Sequence, residues 1–224
     1  MQQKITLLGS TGSIGQSSLE VIALNPGHYC IFALCAYQQD ELLFQQCLQF
    51  EPRYAVMVSE AAAQRLSARI QSSSLKTEVM VGAQSLVDVV EHSDCDTVIS
   101  AITGAQGLVP TLKAIQSNKK VLLANKESLV VAGQLMMDAV RASSSVLLPV
   151  DSEHNAIFQA LSDDFLPGQP WDSRVKSIIL TASGGPFRTC PLSELAQVTP
   201  EQALAHPTWS MGAKITIDSA TMMN

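Results

Sequence analysis

Short apolar runs rich in β-branched residues alternate with longer stretches of helical spacing through the first two-thirds of the chain. The strand-like runs are residues 4–8, 29–36, 54–58, 78–81, 97–102, 120–124 and 146–150. Most are continuously apolar rather than alternating, which is how strands covered on both faces read. Between them, Leu42, Leu43, Cys47 and Leu48 fall on one helical face, as do Leu86, Val87 and Val90, and Leu112 with Ile115. Asn25-Pro26-Gly27 closes the first helix, Glu51-Pro52 closes the second, and Ser59 stands where a cap would open the third. This βαβα rhythm predicts a largely parallel, doubly wound sheet with right-handed crossovers.

After about residue 150 the rhythm changes. A turn-rich piece, 165–172, leads to a strand at 175–181, then to an irregular stretch with Ser183-Gly184-Gly185-Pro186 and His206-Pro207, then to a strand at 215–217. Two strands are too few to close an independent sheet and core. The reading is therefore an α/β, Rossmann-like first domain over 1–149 and an incomplete α/β catalytic domain over 150–224, together the front part of a longer protein.

Composition narrows the partners. Charged residues are 15% of the chain and sum to −6, so there is no electrostatic case for nucleic acid or an anionic membrane surface. No run approaches the ~18 apolar residues of a membrane span, and a strand by Ile5 leaves no room for a signal peptide. Five scattered cysteines without a CxxC pair argue for reduced thiols in a cytoplasmic protein, against zinc or a disulfide framework.

Two motifs carry chemistry. Gly9-Ser10-Thr11-Gly12-Ser13-Ile14-Gly15 follows the first strand and opens a helix. Glycines there permit a tight turn and close approach to a pyrophosphate, which then sits on unpaired helix N–H groups. The alternative is a glycine turn made only for packing. At the end of the second strand, Ala36-Tyr37-Gln38-Gln39 supplies neither an acid for a ribose 2′-hydroxyl nor a base for a 2′-phosphate before Asp40.

The other motif is Pro149-Val150-Asp151-Ser152-Glu153-His154-Asn155. If the backbone stays extended, Asp151 and Glu153 point the same way from a strand end, a hard-oxygen pair suited to Mg²⁺ or Mn²⁺. Alternatively Asp151 or Ser152 caps a helix and Glu153 complements its dipole. Lys126-Glu127 reads equally as a surface ion pair at a helix start, and the His206-Pro207 and Ser183–Pro186 segments as plain turns.

Taken with Leu122–Leu129 (LLANKESL), Ser183-Gly184-Gly185-Pro186-Phe187, His206-Pro207-Thr208-Trp209-Ser210-Met211-Gly212 and residues 218–224, these segments resemble the 1-deoxy-D-xylulose 5-phosphate reductoisomerases from end to end. That family rearranges 1-deoxy-D-xylulose 5-phosphate and reduces the resulting aldehyde with NADPH, giving 2-C-methyl-D-erythritol 4-phosphate in non-mevalonate isoprenoid synthesis. The resemblance implies Asp151 and Glu153 as metal ligands and Lys126 beside the reacting carbons. It implies Thr11, Gly12, Ser13, Ile14, Asn125, Glu127 and Gly212 as NADPH contacts. Ser152, Ser183, His206, Trp209, Ser219 and Asn224 become substrate contacts, several of them at the phosphate, with Trp209 and Met211 on a covering flap. It also implies a homodimer.

The family usually has a glycine, a basic or small polar residue and an asparagine where this chain has Tyr37-Gln38-Gln39. NADPH is still expected over NADH, with backbone and Gln38 or Gln39 replacing the base. The family's next lysine, third carboxylate ligand and C-terminal helical domain lie beyond Asn224. A 224-residue polypeptide is therefore expected to bind the cofactor with little or no turnover, which a steady-state assay of the purified chain would check.

Overall fold

The computed structural model describes residues 2–162, 165, 167–168 and 174–221. Its residues group into two compact units, Met1–Lys176 and Ser177–Asn224. The first holds seven strands: β1 (Gln3–Leu8), β2 (Tyr29–Ala36), β3 (Tyr54–Met57), β4 (Glu78–Val81), β5 (Thr97–Ser100), β6 (Lys120–Leu123) and β7 (Val146–Pro149). All pair in parallel in the order β4-β3-β2-β1-β5-β6-β7. Between them run α1 (Ser13–Ala23), α2 (Asp40–Phe50), α3 (Glu60–Gln71), α4 (Ala83–Glu91), α5 (Leu108–Gln116) and α6 (Lys126–Arg141), with α7 (Ser152–Ala160) after β7.

The continuous apolar runs are explained by two core layers. Leu7, Leu34, Ala55, Met57 and Ile99 face Leu19 and Ile22 of α1, Leu43 and Cys47 of α2, and Ala62, Leu66 and Ile70 of α3. Their neighbours Leu8, Cys35, Val56 and Val98 face Leu86 and Val90 of α4, Ala114 and Ile115 of α5, and Met136 and Val140 of α6. Successive residues of one strand thus serve opposite faces. Strand order reverses between β1 and β5, where the chain winds outward in both directions and a crevice opens beyond the strand ends.

The helix boundaries follow local chemistry. Pro52 disfavours helical backbone before it, and α2 ends with Glu51 left-handed at φ 44°. Ser59 precedes α3 as expected, but its hydroxyl makes no cap bond. Leu48 departs from the expected buried face, being 44% exposed, while Gln46 turns inward instead.

Asp40 in the first turn of α2 is nearly buried. Its Oδ1 accepts from Arg65 Nε at 3.0 Å and Nη2 at 2.6 Å, and its Oδ2 lies 3.8 Å from Arg69. The Arg65 hydrogen bonds hold the Asp40 carboxyl below its ordinary value, against a desolvation cost acting the other way.

In the second unit, α8 (Pro200–Leu204) and α9 (Ala213–Ala220) pack together. Two expectations fail beyond β7. Residues 175–181 join no strand pairing, and Ile178, Ile179 and Leu180 are 47%, 81% and 61% exposed; β-rich sequence makes a strand only where a ladder partner receives it. Residues 215–217 are helical, because Gly212 opens α9, Lys214 and Asp218 pair at i,i+4 over 2.8 Å, and Thr216 with Ser219 supplies the buried face. A three-residue alternation is too short to tell strand from helix. Most of the turn-rich piece 165–172 lies outside the described residues.

Asp40→Asn is expected to lower the melting temperature at pH 7. A carboxyl whose folded value is depressed contributes stability that is complete above its unfolded value near ~4 and is lost as pH falls through the folded value. The deficit of the variant should therefore shrink below about pH 4, and melts at pH 7 and pH 3 check this.

Candidate functional site

The glycine turn is built from close backbone approach. Gly9 has φ 83°, and a Cβ there would lie 2.6 Å from the Ala101 carbonyl oxygen. A Cβ on Gly15 would lie 2.3 Å from the Gly9 oxygen and 2.6 Å from the Ser10 oxygen, so α1 rests directly on the turn. Both Gly9 and Ser10 donate their N–H to the Cys35 carbonyl of β2 at 2.9 Å, pinning the turn to the neighbouring strand.

Gly12 caps α1 without a side-chain hydrogen bond, and no acid occupies the first turn. The first N–H groups of α1, at Ser13 and Ile14, therefore face outward at the positive end of the helix dipole with no competing carboxylate. Thr11 and Gly12 line a cavity of about 730 Å³ whose other walls include Tyr37 and Gln39 after β2 and Ile102 and Thr103 after β5. A bare, glycine-capped helix start above a crevice at the reversal of strand order fits a dinucleotide pyrophosphate.

Asn125 follows β6 and is 2% exposed. Its Nδ2 donates to the Ile102 carbonyl and, at 2.9 Å, to the Gly104 carbonyl. Its Oδ1 accepts from Ser128 N at 3.0 Å and from the Ser128 hydroxyl, capping α6. The side-chain amide thus shapes the crevice wall by fastening the 102–104 loop to the start of α6. Glu127 is half-buried in the first turn of that helix.

The acidic motif departs from the extended geometry expected of it. β7 stops at Pro149, Asp151 is the N-cap of α7, and Ser152 and Glu153 begin the helix, so strand alternation does not aim the two carboxylates. The capping alternative holds in position, with Asp151 at the N-cap and Glu153 in the first turn of α7, but the Asp151 carboxylate makes no cap bond. It instead accepts from Lys126 Nζ at 3.1 Å, and both side chains are largely buried, 13% and 16% exposed. Its second oxygen lies 3.6 Å from His154 Nδ1. Glu153 accepts from the Ser152 hydroxyl at 2.8 Å. The donor set is two carboxylates and a hydroxyl, all hard oxygens, at the end of the strand hydrogen-bonded to β6. Such a set fits Mg²⁺ or Mn²⁺ with water or substrate oxygens completing the shell. No group of three His, Cys, Asp or Glu suited to a metal occurs among the described residues.

The second unit brings together three residues 13 to 36 positions apart in sequence. Ser183 Oγ lies 3.0 Å from His206 Nε2 and 3.1 Å from Ser219 Oγ. His206 Nδ1 accepts from the backbone N–H of Thr208 at 3.2 Å and of Trp209 at 2.9 Å. A neutral ring with Nδ1 as acceptor carries its proton on Nε2, so His206 donates to Ser183. Gly185 N–H also donates to the Ser183 hydroxyl at 3.2 Å. The imidazole N–H and the backbone N–H are both spent on the Ser183 oxygen, which leaves the serine hydroxyls as the donors of this cluster toward an anion. Trp209 is 61% exposed on the irregular stretch before α9, and Gly212 is that helix's N-cap. Asn224 lies outside the described residues.

Sequence reasoning missed Gln46 and the partner of Lys126. Gln46 Nε2 reaches from α2 to the Ser10 carbonyl at 2.9 Å, and its own Oε1 and the Ser10 hydroxyl are buried without hydrogen-bond partners. The available signal was a glutamine on the apolar side of an amphipathic helix. Asn155 was also missed: it fastens β7 to α7 by donating from Nδ2 to the Pro149 carbonyl at 2.7 Å.

Residues 5–133 match the family described as 1-deoxy-D-xylulose 5-phosphate reductoisomerase, and residues 147–224 match that family's C-terminal domain. The reductoisomerase of Dechloromonas aromatica is 56% identical over 99% of this chain and 56% of its own length. That of Paraburkholderia xenovorans is 53% identical over 100% and 55%. A crystal structure of a DOX-P reductoisomerase with NADPH, fosmidomycin and magnesium superimposes with a TM-score of 0.92 at 38% identity, covering 99% of this chain and 55% of that one. The Zymomonas mobilis enzyme with NADPH gives 0.85 at 44% identity, covering 100% and 55%. The chain spans about half the length of the curated relatives it matches.

Gly15→Ala is expected to force α1 off the turn at a cost of about 1–3 kcal/mol, the usual range for overpacking. At roughly 2–4 °C per kcal/mol for a chain of this size, thermal melts should register the loss clearly, and NADPH titration should show weaker binding.

Proposed function

Because this chain belongs to the 1-deoxy-D-xylulose 5-phosphate reductoisomerase family, we propose that it carries the nucleotide- and metal-binding machinery for converting 1-deoxy-D-xylulose 5-phosphate to 2-C-methyl-D-erythritol 4-phosphate. The cofactors of this reading are NADPH and Mg²⁺ or Mn²⁺. The observation that carries it is the glycine-capped start of α1 over the crevice, with the largely buried Lys126–Asp151 pair beyond β6 and β7, two and three strands away in the same sheet.

When bound, the nicotinamide supplies a hydride and the cation acts as a Lewis acid toward the substrate's carbonyl and hydroxyl oxygens. The chain's own residues supply position. Thr11, Gly12, Ser13 and Ile14 receive the pyrophosphate on backbone N–H groups, while Asn125, which fastens the 102–104 loop of the crevice wall, and Glu127 are assigned to the cofactor by the family resemblance. Asp151 and Glu153 offer oxygens to the cation, Ser152 lies against the substrate hydroxyls, and Lys126 places an ammonium beside Asp151 to balance its charge and donate to substrate oxygen. Ser183, His206, Ser219 and Asn224 are assigned to the substrate phosphate and its neighbouring oxygens. Binding energy gathered there, remote from the reacting carbons, is available for ordering the site. By the family resemblance, Trp209 and Met211 are assigned to a flap that excludes water, and Gly212 to a cofactor contact.

The functional boundary in this reading falls between 149 and 150, with nucleotide binding before it and cation and substrate binding after. A cytoplasmic location, supported by five free cysteines, and assembly as a homodimer, which rests on the family resemblance, complete the proposal. No helix among the described residues is long and apolar enough to cross a membrane.

Mn²⁺ titration followed by electron paramagnetic resonance tests the metal assignment. Asp151→Asn is expected to weaken Mn²⁺ binding at least ~10-fold, the lower bound for disturbing a metal's ligand set, while NADPH binding stays close to that of the parent. Any conversion of 1-deoxy-D-xylulose 5-phosphate should stop on chelation. Conversion that survives a chelator would sink the reading in favour of a metal-independent NAD(P)-linked dehydrogenase.

A further inference from the structure

The nucleotide crevice poses a problem at the end of β2. An acid at that position normally accepts from the ribose 2′-hydroxyl and selects NADH, whereas a 2′-phosphate calls for a base. Neither stands at Tyr37, Gln38 or Gln39, and the first charged residue is the acid Asp40. Tyr37 and Gln39 line the cavity, so Asp40 begins one residue from its wall. A free carboxylate so placed would repel a 2′-phosphate, a like-charge juxtaposition that costs several kcal/mol at an interface.

Asp40 is not free. It is 7% exposed, is absent from the cavity lining, and is gripped through Oδ1 by both Nε and Nη2 of Arg65. The helix supplying Arg65 is itself fixed at this corner, because Ser59 at its start donates its N–H to the Tyr37 carbonyl at 2.9 Å. One turn further on, Arg69 approaches Asp40 Oδ2 at 3.8 Å and pairs with Glu41. The Arg65 side chain remains 54% exposed, so the acid is neutralised from the solvent side of α3.

We propose that Arg65 is a positioning residue for cofactor choice: by drawing Asp40 into the α2–α3 seam, it removes the acid nearest the end of β2 from the crevice and leaves neutral Gln38 and Gln39 to meet a 2′-phosphate. The inference rests on the dinucleotide-binding reading above. It assigns selectivity to a residue that touches the cofactor only through another. The depressed carboxyl value of Asp40 agrees with a carboxylate fully committed to that partner.

The test is binding of NADPH and of NADH to the 224-residue protein, followed by dihydronicotinamide fluorescence, so that no turnover is needed. Arg65→Met keeps the apolar stem and deletes the guanidinium. It is expected to reduce the preference for NADPH over NADH by about tenfold or more, the worth of a charged hydrogen bond. Adding Asp40→Asn to Arg65→Met should restore the parent ratio, because the released group no longer carries charge. Arg65→Lys keeps a cation against Asp40 and should show a smaller fall of the same sign, which serves also if the methionine variant does not fold.

Equal weakening of both dinucleotides marks a purely structural role and overturns the assignment. So does an unchanged ratio, or a double variant that fails to restore it. A parent that binds neither dinucleotide overturns the functional reading and this assignment together, whereas a parent that binds NADPH and keeps its ratio in the Arg65 variants overturns this assignment alone.

Discussion

The structure turns on a place where no side chain fits. With 2.3 Å from an added Cβ on Gly15 to the Gly9 carbonyl oxygen, α1 touches the first turn backbone to backbone. That contact lets the helix begin at the sheet edge instead of several ångströms above it. The turn is held from below by two N–H bonds to Cys35 and from the side by Gln46. The crevice walls after β2 and β5 are then set by the same sheet that fixes the turn. Anion binding at this point needs no charged side chain, since the helix start provides the donors.

The seven parallel strands and their helices were legible because burial on both faces writes a strong signal, a continuous apolar run bounded by proline, glycine or a cap. The signal weakened wherever partners decide. Residues 175–181 have strand composition but no ladder to join, and residues 215–217 were too short for their period to speak. At Asp151 the order of residues was informative and the local geometry was not. A helix begins there rather than a strand continuing, so the alternation argument fails even though the oxygen-rich chemistry of the segment stands.

Site residues divide the same way. The glycine turn could be read directly, because close approach demands glycine at fixed spacing. The meeting of Ser183, His206 and Ser219 could come only from family resemblance, since nothing local announces a contact between residues 36 positions apart. The Lys126–Asp151 and Asp40–Arg65 pairs were invisible, as each joins two elements whose adjacency depends on the order of strands or helices around the sheet.

The parallel ladder between β6 and β7 acts as a ruler. Leu123 pairs with Pro149, and Val150 N–H donates to the Leu123 carbonyl, so the chain leaves both strands at one level. Lys126 and Asp151 follow within three residues, and their 3.1 Å contact inherits that level. A slip of one residue along either strand would move its partner by about 3.3 Å, comparable to the contact itself. The charge pairing is thus a vernier reading of sheet register, and a one-residue insertion at either exit would erase it while leaving every core side chain in place.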